Sequence, residues 1–275
     1  MRFAAVFAAL ALGMASSVMA QSGAPAQGAA EALPPPVPIE EWPLEKVSRI
    51  GAEMYRLDAA AWLATDALVK AISQEETRTI RGWLIAPVED GLRVRFYREG
   101  SPDPLPAWDV VIKGRVAGPV APTPATVLAP EELAQARALA TARANIGRLR
   151  CSPRPNTVIM DDPDSDGWLV WLLTPMPENR TIPIGGHYRF RISADGGTVL
   201  QRDQLSNACF FADRPPAGAR DAVLAYTQIV SRGPVETHVF LSIQNQLTLA
   251  IMAGDRYFSV GGARIADITD MVNRR

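Results

Sequence analysis

Three carboxylates stand at alternating positions in the run Asp162-Pro163-Asp164-Ser165-Asp166-Gly167. This matches the opening of a calcium loop, where oxygen ligands gather a hard cation and a glycine permits the sharp turn. Asp162, Asp164 and Asp166 would supply three of the six or more oxygens that calcium takes. Leu173 holds the place of the bidentate glutamate, however, and Pro163 stiffens the second position. The flanks read as strands rather than helices. A polar hairpin turn is the simpler expectation, because Asp and Gly are good turn formers.

A second constellation is helical. Tyr55, Asp58, Trp62 and Asp66 are spaced by three, four and four residues, which puts them on one face of a helix. Rings flanked by carboxylates can stack a sugar or clamp a basic peptide. The same four residues can also form the flank of a core, with the carboxylates paired to arginine.

Acid–base and nucleophilic chemistry have little to work with. His187 and His238 are the only histidines, neither in a zinc spacing, and both fall in expected strands. Glu236 lies close enough in sequence to orient His238. There is no G-x-S-x-G elbow, S-x-x-K, Walker loop or dinucleotide fingerprint. A glycosidase pair of carboxylates, distant in sequence, stays open.

Cys151 and Cys209 are the only cysteines, and they lack C-x-x-C spacing. In an oxidising compartment they should form one structural disulfide, whose loss costs stability rather than binding. Lys46, Lys70 and Lys113 are the only lysines, so arginine carries nearly all the positive charge. That skew fits a GC-rich genome, or bidentate recognition of carboxylates and phosphates. Of the tryptophans, Trp168 and Trp171 face opposite sides of one expected strand, so one of them could point outward for a carbohydrate or a protein.

The address comes from the first twenty residues. Arg2, an uncharged apolar run and a small-residue exit at Val18 and Ala20 read as a secretory signal peptide over residues 1–20. The apolar run is shorter than the ~20 residues of a spanning helix, and no later segment spans. A periplasmic or secreted bacterial location is therefore expected. The formal net charge of −1 gives no basic footprint for nucleic acid.

Residues 21–44, rich in Ala and Pro, read as a flexible linker. Residues 45–118 read as a helix followed by an antiparallel meander. Its apolar stripe is Ile50, Met54, Leu57, Ala61, Ala64, Leu68 and Ile72, with Gly51 as the weak point. The pair Asp90-Gly91 marks a tight hairpin between the first two strands. After a linker at 119–129, the pattern repeats over 130–214, which contains both cysteines. Pro130 suits the first helical position and Glu131 and Glu132 suit the helix dipole. A third unit over 215–275 should open with a helix near 219–230, followed by strands at 237–243, 247–252 and 256–260.

The fold class is thus α+β, built of repeated helix-plus-antiparallel-meander units with helices packed on one face of curved sheets. The function expected is a non-catalytic module that binds or supports an envelope protein or glycan. An extracytoplasmic hydrolase acting on peptide or glycan, and a calcium-stabilised binding domain, are the alternatives. The hydrolase requires a cleft that brings together Asp58, Asp66, His187 or His238.

Overall fold

Helix α1 (Leu44–Ala71) buries Val47, Ile50, Gly51, Met54, Leu57, Ala60, Ala61, Ala64 and Leu68 along one side, the stripe its periodicity dictates. It belongs to a computed structural model that describes residues 38–177, 181–216 and 222–274. The expected signal peptide and most of the expected linker lie outside the described residues. All described residues fall in one compact unit.

The chain continues through a short α2 (Gln74–Thr79), whose start is fixed by a reciprocal cap between Ser73 and Glu76. Strands β1 (Ile80–Val88), β2 (Gly91–Arg98) and β3 (Leu105–Lys113) form an antiparallel meander. The hairpin falls where expected, but Val88 pairs with Gly91, so Glu89 and Asp90 alone make the turn and Gly91 opens β2. Two short strands, β4 (Val116–Ala117) and β5 (Ala121–Pro122), both pair with β3. Part of the expected 119–129 linker is therefore sheet.

Helix α3 (Pro130–Ala144) begins with proline at its first turn, as expected. Strands β6 (Asn156–Asp161), β7 (Trp168–Leu173), β9 (Tyr188–Ile192) and β10 (Val199–Gln204) form a second antiparallel sheet in the order β10-β9-β7-β6. Between and after them, β8 (Ile182–Pro183) and β11 (Phe211–Ala212) make a two-stranded ribbon.

The last stretch departs from the sequence expectation. The helix expected near 219–230 is in fact strand β12 (Val223–Thr227), and the strand expected at 237–243 lies inside helix α4 (Glu236–Asn245). Seven consecutive residues of α4, Glu236 to Ser242, are buried. A helix covered all round has no amphipathic period, and its Val, Phe and Ile content then imitates a strand. Strand β12 runs parallel to β13 (Thr248–Ala253), with α4 as the crossover. Then β14 (Arg256–Gly261) and β15 (Arg264–Asp267) complete the sheet antiparallel, and α5 (Thr269–Asn273) ends it.

The architecture is α+β, but the three stretches share their interior. One hydrophobic cluster joins α1, α4, β2, β3, β13 and β14 to Val158, Leu169, Trp171 and Leu173. A second packs Ala138, Leu139 and Ala142 of α3 against Trp168, Val170, Leu172, Tyr188 and Phe190. Helices thus cover both faces of the middle sheet and not one face as expected, and all six residues of β7 are buried. Trp168 and Trp171 do face opposite sides, yet neither points outward.

Gly51 sits where α1 crosses α4. A Cβ there would lie 2.5 Å from the Glu236 carbonyl oxygen and 2.6 Å from Val239 Cβ. What reads as a weak point in a helix is what lets the two helices approach.

Residues 38–43 do not behave as linker. Ile39 and Trp42 are buried. The Arg189 guanidinium lies 3.8 Å from the Trp42 ring centroid and the Lys46 ammonium 4.0 Å from it, so cation–π contacts hold this segment down.

Candidate functional site

The α1 constellation is on one helical face, as the spacing requires, but it does not form a site. Trp62 is 58 % exposed and Asp66 is also exposed. Tyr55 packs partly against the core, and its hydroxyl accepts from Arg115 at 3.4 Å. Asp58 is half-buried and accepts a hydrogen bond from Gln244 of α4 at 3.3 Å. Burial raises its pKa to about 6, against the smaller opposing pull of that hydrogen bond.

Because the folded-state pKa exceeds the unfolded one, the contribution of Asp58 to stability is complete below about pH 4. It is lost as pH rises through 6. Asp58→Asn should therefore stabilise the protein by about 2 kcal/mol at neutral pH and add nothing near pH 4. Urea midpoints at the two pH values check this, and equal effects at both would refute it.

The aspartate turn closes the β6–β7 hairpin and carries its own counter-ions. Asp162 accepts from the Asp164 backbone N–H at 3.1 Å and from the Ser165 hydroxyl at 2.8 Å. Arg191 lies 2.8 Å from Asp162 and 3.2 Å from Asp164, and Lys46 also pairs with Asp164. These contacts, with Lys46 first, hold the Asp164 carboxyl below its ordinary pKa. Asp166 makes none of these contacts. The expected calcium loop thus meets cations of its own chain. Two of its three ligands are neutralised by Lys46 and Arg191, and no cluster of three acidic, His or Cys residues that could hold a metal occurs among the described residues.

The histidines are structural. Nδ1 of His187 accepts from the Thr174 N–H at 3.1 Å, and its Nε2 donates to the Pro183 carbonyl at 2.9 Å. His238, on α4 rather than a strand, accepts from the Val235 N–H at 3.0 Å and packs edge-on against Tyr226. Burial lowers their pKa values to about 4 and about 3, with His187 adding to the effect on His238, so both are neutral near pH 7. Glu236 does not orient His238. It accepts from Trp171 at 2.8 Å and pairs with Arg189 at 3.1 Å. His187 and His238 are closed off in the interior, whereas Asp66 stands in solvent.

The arrangement with chemical potential lies elsewhere. Three segments converge on a groove of about 1130 Å³: the end of α2 with the start of β1, the last turn of α3, and the loop before β6. They bring Arg78 and Arg81, Arg143, and Arg150 and Arg154 respectively. Ile80 and Ile146 provide apolar surface between them, with Leu172 buried beneath, and no carboxylate lines the groove among the described residues. All five arginines are exposed.

Arg81 pairs loosely with Glu99 at 3.3 Å. Arg78, Arg143, Arg150 and Arg154 have no ion-pair partner among the described residues. Arg143 in the last turn of α3 is favoured there by the helix dipole. The loop that carries Arg150 and Arg154 is fixed by the disulfide Cys151–Cys209, with Cα atoms 5.4 Å apart. It is seated closely enough that a Cβ on Gly186 would lie 2.2 Å from the Cys151 sulfur. Pro153 and Pro155 further limit the loop's freedom.

Such a groove concentrates positive charge with guanidinium forks turned to solvent, which suits anions with more than one oxygen. The sequence does hold a signal for it: residues 133–160 contain Arg137, Arg143, Arg148, Arg150 and Arg154 and no Asp or Glu. A near-neutral total charge hides this local imbalance. No protein-family model, curated protein or solved structure matches the chain.

Proposed function

We propose that this protein is an exported, non-catalytic module that binds an anionic component of the cell envelope through its arginine groove. The observation that carries the reading is the set of arginines converging from three segments on a groove that no acidic residue lines among the described residues. Export is supported by the leader-like residues 1–20 and is compatible with the Cys151–Cys209 bridge, which persists in oxidising compartments. The absence of catalysis is supported by the two histidines, each committed to hydrogen bonds in the interior.

The test uses a column of immobilised heparin as a generic polyanion. The parent protein is expected to be retained at about 50 mM salt and released as salt screens the contacts. The Arg143→Ser/Arg150→Ser/Arg154→Ser variant should emerge clearly earlier. Identical elution of the two would refute the assignment. N-terminal sequencing of the protein from a periplasmic extract should begin at Gln21, and an intact Met1 on cytosolic material would remove the export half of the reading.

A further inference from the structure

We infer that the groove engages several phosphate groups at once, on an extended ligand that is recognised by charge and not by ring stacking. This rests on the anion-binding reading above and specifies its chemistry. Three features of the groove carry it.

The first is where the arginines come from. A carboxylate has two coplanar oxygens and is satisfied by one guanidinium fork. A phosphate presents oxygens in several directions and can be held from more than one wall. Arg78 and Arg81, Arg143, and Arg150 with Arg154 stand on separate segments facing one space. Ser152 adds a hydroxyl. Its oxygen accepts from the Arg154 N–H at 3.1 Å, which leaves its hydrogen for an anionic oxygen.

The second is size. At about 1130 Å³, the groove exceeds the ~300–1,000 Å³ of ordinary small-molecule pockets. One phosphate would leave most of the arginines unused, whereas a row of them engages the walls together and gains by effective concentration.

The third is what the lining lacks. Among the described residues, no Trp, Tyr, Phe or His lines the groove. Single-stranded nucleic acids are bound on aromatic platforms worth ~1–3 kcal/mol per base, and sugars are stacked in the same manner. The apolar surface is aliphatic, from Ile80 and Ile146. Phosphate rows of this kind occur on soluble polymers and on arrays of lipid headgroups, and both present the same groups to arginine.

The experiment titrates the purified protein with inorganic phosphate, tripolyphosphate, long-chain polyphosphate and polyglutamate of matched charge. Binding is followed by calorimetry. Long-chain polyphosphate is expected to bind at least ~100-fold more tightly than phosphate, and polyglutamate ~10-fold or more weakly than polyphosphate. The logarithm of affinity should fall with the logarithm of salt at a slope of about −3, as for four contacted phosphates.

Arg143→Ser/Arg150→Ser/Arg154→Ser should lose at least ~10-fold in polyphosphate affinity while keeping the parent circular dichroism spectrum. Phosphatidylglycerol vesicles separate the two sources. Sedimentation with vesicles that polyphosphate competes away assigns the lipid surface, and polyphosphate binding without sedimentation assigns the soluble polymer. Polyglutamate binding as tightly as polyphosphate overturns the phosphate assignment and leaves the anion-binding reading intact. Binding of none of the polyanions overturns both.

Discussion

Arg189→Met is expected to lower the stability of the protein by about 3–5 kcal/mol. Arg189 lies opposite Trp171 and Asp203 on its neighbouring strands, so its side chain enters the shared interior instead of solvent. It pairs with Asp203 at 2.6 Å and Glu236 at 3.1 Å and donates to the Glu40 carbonyl at 2.6 Å. Glu236 is fully buried.

Removing the guanidinium would leave two carboxylates in a medium that solvates charge poorly. It would also release Trp42, and with it the segment that enters α1. The same reasoning gives a control. Arg189→Met/Asp203→Asn/Glu236→Gln removes the stranded charges together and should recover much of the loss. Urea midpoints measure both proteins. A single variant as stable as the parent would show that these charges do not hold the interior together. Exposed pairs such as Lys113–Asp90 and Arg56–Glu53 should contribute little by comparison, because water screens them.

The second large effect concerns the disulfide. Cys151 and Cys209 are 58 residues apart, and opening a loop of that length costs about 4 kcal/mol in the chain-entropy model. Cys151→Ser/Cys209→Ser should shift the urea midpoint accordingly, and dithiothreitol should do the same to the parent. Sequence alone suggests a staple without influence on binding. The position of Cys151 between Arg150 and Ser152 changes that expectation, since the bridge also fixes one wall of the groove.

The folded double variant should therefore bind polyphosphate several-fold more weakly than the parent, because the loop must be ordered by the ligand. Calorimetry at a temperature where circular dichroism shows the variant folded separates the two effects. Unchanged affinity there would reduce the bridge to a staple after all.

Neither the groove nor the buried charges can be found from spacing along the chain. Tyr55, Asp58, Trp62 and Asp66 do share a helical face, but α4 half-buries Asp58 and leaves Trp62 in solvent, so a common face does not become a common site. Asp162, Asp164 and Asp166 do make a turn, while Arg191 and Lys46, which supply its counter-charges, come from distant elements.

Where local forces suffice, the residues themselves determined the outcome. The stripe on α1, the place of the β1–β2 hairpin, the proline start of α3 and the pairing of the only two cysteines depend on periodicity, backbone preference and count. Tertiary structure decided the rest. Helix α4 is sheathed on every side, so burial overrode a strand-like composition. Trp168 and Trp171 are both interior because α3 covers one face of their sheet while α1 and α4 lie over the other. The arginines gather because three segments distant along the chain meet at one surface. Charge acts through space, and only the folded chain sets which charges are neighbours.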